Sequence, residues 1–254
     1  MAKEAVGKEK LRLDLLVAGL GLAPSREKAQ AMILAGQVLV DGQKVEKCGA
    51  TVGVDARVSI VGESPRYASR AGIKLDAALD HFHVNVVDKR CLDIGASTGG
   101  FTDCLLQRGA AQVVAVDAGT NQLAWSLRSD PRVMSLERTN ARYLEPRAIG
   151  EPVKFVTMDV SFISATLILP VVPALLKPQS EILVLVKPQF EVGRGQVGKG
   201  GIVRDAKLRA EAVARVIRKI QNLGFEEIGT VESALPGACG NQEHFVHAAW
   251  KPAP

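Results

Sequence analysis

Residues 90–102, Arg-Cys-Leu-Asp-Ile-Gly-Ala-Ser-Thr-Gly-Gly-Phe-Thr, are a short apolar run that breaks into glycines, and Val113 to Asp117 form a second apolar run ending in an acid. A strand entering a turn with Gly95, Gly99 and Gly100 lets backbone approach a ligand closely and turn sharply into a helix. A carboxylate at Asp117, about 20 residues on, is where a βαβ unit places the group that holds ribose hydroxyls. The spacing is Gly-x-x-x-Gly-Gly, not Gly-x-Gly-x-x-Gly, and Asp93 sits inside the strand end. An acid there disfavours a pyrophosphate and suits a cofactor with an amino acid end or a positive charge, such as S-adenosylmethionine.

From Tyr67 onward, helical and strand patterns alternate. The spacing predicts helix 69–82, strand 90–94, helix 99–108, strand 112–117, helix 122–128 and strands 133–137 and 153–159. Helix 163–176, strand 181–187, helix 206–222 and strands 225–231 and 243–250 follow. Such alternation implies an α/β fold, a mostly parallel sheet with helices on both faces, and the last two strands imply a terminal antiparallel hairpin. Ligands in such sheets sit at the carboxyl ends of the strands. Asp93, Asp117, Asp159 and Lys187 each close a predicted strand, so all four are expected along one edge.

The chain's 254 residues and 47% apolar content are enough for a large domain and a small one. The longest strongly apolar stretch, 167–176, is ten residues and carries Pro170 and Pro173, against the roughly 20 that span a bilayer. The charged first ten residues have no apolar run behind them, so no signal peptide and a cytoplasmic location are expected. Cys48, Cys91, Cys104 and Cys239 have neither paired nor metal-ligand spacing, so neither disulfide nor zinc is expected. His81, His83, His244 and His247 lack the surrounding ligands of a metal site. Trp125 and Trp250 read as core or sheet-edge packing. The formal charge of +5 permits a polyanionic partner.

Residues 11–62 follow a separate pattern: Leu11, Leu13, Leu15 and Leu16 open a helix, Ser25 caps a second, and Val38-Leu39-Val40-Asp41-Gly42 reads as a strand and tight turn. Residues 1–66 carry ten Lys and Arg against eight Asp and Glu, a net of +2, so the distribution of basic groups matters more than their total. This segment resembles the S4 RNA-binding domain through Arg12-Leu13-Asp14-Leu15-Leu16, Ser25-Arg26-Glu27-Lys28-Ala29, Ile33-x-x-Gly36-x-Val38-x-Val40-Asp41-Gly42 and Val58-x-Ile60. The resemblance implies a small α+β domain facing structured RNA, with contacts from Arg12, Ser25, Arg26, Lys28 and Lys44. Domain boundaries are expected at 1–62 and 69–254, with a linker at 63–68 around Gly62-Glu63-Ser64-Pro65-Arg66.

Lys74, in Ser-Arg-Ala-Gly-Ile-Lys-Leu, Asp159, in Met-Asp-Val-Ser-Phe-Ile-Ser, Lys187, in Val-Lys-Pro-Gln-Phe-Glu, and Glu243, in Asn-Gln-Glu-His-Phe, match in order the Lys-Asp-Lys-Glu tetrad of FtsJ-like ribose 2′-O-methyltransferases. With the S4-like segment in front, the chain resembles the TlyA family of haemolysin-like ribosomal RNA 2′-O-methyltransferases over residues 11–250. The resemblance implies a Rossmann-like class I methyltransferase domain with a seven-stranded, mostly parallel sheet, S-adenosylmethionine as cofactor, and ribosomal RNA or ribosomal subunits as partner. It also implies cytidine as target; the residues themselves predict no metal and no membrane partner, and a monomer or weak homodimer is expected. Asp93, Gly95, Ala96, Ser97, Thr98, Gly99 and Gly100 would hold the cofactor's amino acid end, Asp117 its ribose, and Asn140, with Ala141 and Arg142, its adenine.

Two roles stay open for Lys187. A lysine of ordinary pKa, about 10.4, needs desolvation or a neighbouring cation such as Lys74 to serve as the base that takes the ribose proton. A carboxylate close by opposes that and favours electrostatic stabilisation of the alkoxide instead. Residues 193–201, with five glycines, Arg194 and Lys199, read as a mobile loop that closes over RNA. Two further readings compete with the enzymatic one: an S4-tethered RNA-binding protein with a vestigial methyltransferase fold, and the membrane lysis that the family's haemolysin label suggests.

Overall fold

The computed structural model describes residues 10–23, 25–61, 66–237 and 239–251. The chain divides into two compact units, Met1–Ser64 and Pro65–Pro254.

In the first unit, β1 (Lys10–Arg12) leads directly into α1 (Leu13–Gly19), so Leu11 lies in a strand and the helix begins two residues later than the leucine pattern suggests. Ser25 caps α2 (Arg26–Leu34), its hydroxyl accepting from Lys28 N at 3.2 Å, which satisfies one of the helix's free N–H groups. The strands β2 (Val38–Val40), β3 (Gln43–Lys44), β4 (Thr51–Gly53) and β5 (Val58–Ile60) follow; β1 pairs with β4, and the order β3-β2-β5 makes a three-stranded sheet. Leu13, Val17, Ala29, Ile33 and Val38 form the buried centre.

The second unit contains α3 (Ala71–His81), β6 (Arg90–Ile94), α4 (Gly100–Gln107), β7 (Gln112–Val116), α5 (Trp125–Arg128), β8 (Val133–Leu136), α6 (Pro146–Ile149) and β9 (Val153–Met158). It continues with β10 (Leu176–Val186), α7 (Pro188–Glu191), α8 (Ala206–Asn222), β11 (Phe225–Glu232) and β12 (His244–Trp250). The sheet has seven strands in the order β11-β12-β10-β9-β6-β7-β8. Strands β10, β9, β6, β7 and β8 run parallel, and β12 lies antiparallel between β10 and β11. This is the α/β, mostly parallel sheet with a terminal antiparallel pair that the alternation predicts.

Side chains along a strand point alternately to its two faces. One face carries Phe155, Leu183, Leu185 and Phe245, covered by α3 and α4 through Leu75, Leu79, Phe101 and Leu105. The other carries Leu92, Val156, Val184 and Val246, covered by Leu169, Val172, Val216 and Ile220. Each such fully buried side chain contributes about 1.5–3 kcal/mol. Helix α8 turns Val216 and Ile220, four residues apart, onto this core.

The expected helix 163–176 is a pair of 3₁₀ segments, Ala165–Leu167 and Leu169–Leu175. Pro173 inside the second segment lacks the N–H an α-helix requires there and its ring clashes with the preceding turn. The expected helix 122–128 shrinks to α5, and Trp125 is 76% exposed rather than packed. Trp250 does pack, its ring centroid 4.8 Å from that of Phe225. Within the expected linker, Tyr67 is buried, and Ala68 N donates to Asp103 Oδ2 at 2.7 Å, so both residues belong to the second unit.

Candidate active site at the carboxyl ends of the strands

The loop after β6 is tied to the end of β7, because the N–H groups of Gly95 and Ala96 both donate to Val116 O, at 2.8 and 3.1 Å. Gly95 has φ 87°, and a Cβ there would stand 2.4 Å from the carbonyl oxygen of Asp159. Gly99, at φ 95°, would drive a Cβ to 2.3 Å from Leu127. Both positions exclude a side chain for steric as well as conformational reasons. Asp117 braces the loop from the next strand: one carboxylate oxygen accepts from Ser97 N at 2.8 Å and the other from Gly119 N at 2.7 Å.

Between these groups lies a cavity of about 520 Å³, lined among others by Gly95, Ser97, Asp117, Asn140, Asp159 and Phe162. That volume falls in the range of small-molecule sites. A smaller recess of about 170 Å³ adjoins the same loop and takes in Ala96, Thr98, Gly100, Asp159, Ser161 and Lys187. Gly95, Ala96, Ser97, Thr98, Gly100, Asp117 and Asn140 therefore line the cavities, while Gly99 lines neither and packs toward Leu123 and Leu127. Nor does Asp93 line them. Its side chain is fully buried behind the loop, where Thr102 Oγ1 donates to Oδ2 at 2.7 Å and Thr157 Oγ1 to Oδ1 at 3.1 Å. Burial pushes its carboxyl up to about 7, against the lowering effect of the two threonines. Its observed place is that of a brace between β6, β9 and α4, not a direct ligand contact.

The tetrad falls into two ion pairs. Lys187 Nζ lies 2.6 Å from Asp159 Oδ1 and donates to Ser161 Oγ at 2.8 Å. Lys74 Nζ donates to Glu243 Oε2 at 2.6 Å, both side chains nearly inaccessible. Register explains how the pairs meet. Val186 of β10 faces His244 of β12 in the antiparallel ladder, so one step past its end Lys187 faces Glu243. On the other flank, Asp159 directly follows β9, which runs parallel beside β10. The alternation that sends Leu185 and Phe245 to the α3 face sends Lys187 and Glu243 there too, toward Lys74 on α3. Ser161 is a contact the spacing did not single out, although it stands in the quoted Met-Asp-Val-Ser-Phe-Ile-Ser segment.

In the first unit, Arg12 and Arg26 converge on the buried carboxylate of Asp14, at 2.9 and 3.0 Å, and Gln30 Nε2 also donates to it at 2.7 Å. Hydrogen bonds from Arg12 and Gln30 hold that carboxyl well below the usual carboxylate range. Both guanidiniums remain about half exposed. Lys28 is exposed, and Lys44 pairs with Glu46 at 2.9 Å.

A model described as FtsJ-like methyltransferase matches residues 67–250, and one for the S4 domain matches residues 11–58. The chain is 50% identical, over 236 residues, to the 16S/23S rRNA (cytidine-2′-O)-methyltransferase TlyA of Mycobacterium tuberculosis, spanning 92% of this chain and 88% of that one. The chain belongs to the TlyA family of FtsJ-like methyltransferases. It is also 44% identical to Hemolysin A of Brachyspira hyodysenteriae, over 93% of this chain and 99% of that one. A solved Streptococcus thermophilus structure that carries a hemolysin name superposes with a TM-score of 0.75 at 41% identity, covering 98% of this chain and 91% of that one. An S-adenosylmethionine-dependent methyltransferase of Mesorhizobium loti, 13% identical with a TM-score of 0.51 over 68% of this chain and 96% of that one, shares the fold alone. Among the described residues, no helix is long and apolar enough to cross a membrane, and no group of three or more His, Cys, Asp or Glu could hold a metal ion.

Proposed function

We propose that this chain transfers the methyl group of S-adenosylmethionine to the 2′-hydroxyl of a cytidine in ribosomal RNA, in the cytoplasm where ribosomes are made. The observation that carries the reading is the Lys187–Asp159 ion pair, 2.6 Å long, beside the glycine-loop cavities with Lys74–Glu243 next to it. The M. tuberculosis relative's name supplies the acceptor, 16S and 23S RNA cytidine.

The residues fit the cofactor. The glycine loop, through Gly95, Ala96, Ser97, Thr98 and Gly100, supplies a wall of small residues with room for the amino acid end, Asp117 suits the ribose hydroxyls, and Asn140 stands where the base would lie. When bound, the cofactor supplies an activated methyl group on a positively charged sulfur. The chain's own residues must then orient a ribose hydroxyl and manage its proton. With its ammonium placed 2.6 Å from Asp159 at the rim of the recess, the first role of Lys187 is to stabilise the negative charge that grows on the ribose oxygen. Asp159 and Ser161 fix the ammonium, while the buried Lys74–Glu243 pair sets the wall against which the nucleotide lies. Alignment of acceptor and methyl group would supply much of the rate. The S4-like unit, with Arg12, Ser25, Arg26, Lys28 and Lys44, would hold phosphates of the same RNA.

Calorimetric S-adenosylmethionine binding, then tritiated methyl transfer to ribosomal subunits and naked ribosomal RNA, tests the reading. Cofactor binding with no transfer to any of these substrates would favour a non-catalytic RNA-binding role.

A further inference from the structure

A second cavity, of about 510 Å³, has Glu243 of the tetrad in its wall, together with Arg204, Arg209, Glu232, Ser233 and Gln242. Three separate segments build it, and one buried side chain holds them together. Asn241 is 1% exposed; its Nδ2 donates to Gly201 O at 2.7 Å, its Oδ1 accepts from Val203 N at 2.9 Å, and its backbone carbonyl accepts from Gly237 N at 2.8 Å. With both ends of its amide engaged, it fixes the exit of the glycine-rich segment 193–201 against the chain entering β12. Arg209 Nη1 further donates to Val203 O and Arg204 O, at 3.2 and 2.6 Å, and Ser233 N donates to Glu243 O at 2.8 Å. The cavity is thus a framed site and not a gap between loose loops.

Its chemistry is mixed but not balanced. Lys74 offsets the charge of Glu243 from behind. Arg204 and Arg209 then share the wall with one further carboxylate among the lining residues, Glu232, which accepts a hydrogen bond from Gln242. Two guanidiniums favour a phosphate, whereas an amide beside a carboxylate offers a donor and an acceptor of the kind that reads a base edge. Glu243 is the residue this cavity shares with the tetrad, and strand register sets it beside Lys187 on the neighbouring strand.

We propose that this cavity is a subsite for the nucleotide adjoining the methylated one, its phosphate held by Arg204 and Arg209 and its base edge met by Gln242 and Glu232. The proposal rests on the methyltransferase reading for the nature of the strand and adds where that strand runs beyond the reacting ribose. It gives residues 202–204, which directly follow segment 193–201, the task of walling a substrate path.

The test uses the full chain in two measurements: tritiated methyl transfer to ribosomal RNA, and anisotropy binding of a fluorescein-labelled ribosomal RNA fragment. Arg204→Ala, Arg209→Lys and Gln242→Ala are compared with wild type, with melting curves to register folding. Loss of one charged contact should raise the RNA KM and Kd about ten- to a hundredfold in Arg204→Ala. It should lower the slope of log affinity against log salt by about one, with S-adenosylmethionine affinity unchanged. Gln242→Ala should alter the preference for the neighbouring base while keeping the salt slope. Wild-type KM, Kd and salt slope in Arg204→Ala, with an unchanged neighbouring-base preference in Gln242→Ala, would overturn the subsite. A wild type that binds RNA but transfers nothing would instead defeat the methyltransferase reading, and the anisotropy data would still decide the cavity.

Discussion

Lys187 and Glu243 face each other across adjacent antiparallel strands, one step beyond the Val186–His244 pair that ends the ladder. Each is held by a different opposite charge, Asp159 for the lysine and Lys74 for the glutamate. Four residues spread over 170 positions of sequence therefore meet as two neighbouring ion pairs on one sheet face, one at the rim of the cavities and one sealed against α3. This division predicts different consequences for the two pairs.

Removing one partner of the sealed pair strands a buried charge. Lys74→Met should lower stability by about 3–5 kcal/mol, read from urea unfolding. Adding Glu243→Leu should recover most of that loss, because an apolar pair of similar volume has no charge to desolvate. Methyl transfer should stay abolished in both variants. A double variant no more stable than Lys74→Met would show that the pair is not a self-contained buried unit.

Asp93 predicts a pH dependence of stability. Its folded-state carboxyl is pushed up to about 7 by burial, above its unfolded value of about 3.9. The folded state holds the proton more tightly, so stabilisation present below about pH 4 is lost as pH rises through 7, by up to about 1.4 kcal/mol per pH unit. Asp93→Asn should flatten that part of the profile, measured as urea midpoints from pH 4 to 8. An unchanged slope would remove Asp93 as its source.

Gly95→Ala places a methyl group against the carbonyl of Asp159, at 2.4 Å, in a left-handed backbone conformation. The loop must shift to accommodate it. S-Adenosylmethionine affinity should fall at least about tenfold, or 1.4 kcal/mol, by calorimetry, with Lys187→Ala as the control that keeps cofactor binding. Wild-type affinity in Gly95→Ala would dissociate the glycine loop from the cofactor site.

Strand and helix periodicity made the sheet legible, since Val113 to Val116 or Ile182 to Val186 read as buried strands without any knowledge of their neighbours. The segment 163–176 misled because its apolar residues suit a helix, while Pro170 and Pro173 decide the backbone. Asp93 misled for another reason: a strand-end acid can face a ligand or the packing layer behind it, and only Thr102 and Thr157, from α4 and β9, settle the direction. The tetrad was legible through resemblance alone. Its physical basis is strand register, and no local pattern in the sequence specifies that β12 inserts antiparallel beside β10. Asn241 gave no signal, because its role depends on the path of segment 201–203 in space. Trp125 shows the converse, an aromatic residue that composition assigns to packing and the short helix α5 leaves in solvent.

The central claim is that Lys187, fixed by Asp159 beside the cofactor cavity, promotes methyl transfer to a ribose hydroxyl. Single-turnover tritiated methyl transfer to ribosomal RNA, with wild type and Lys187→Ala at saturating S-adenosylmethionine, tests it most directly. The account predicts a rate about 10²- to 10⁴-fold lower in Lys187→Ala, with cofactor and RNA affinities within about twofold of wild type. Transfer at the wild-type rate in Lys187→Ala would contradict it.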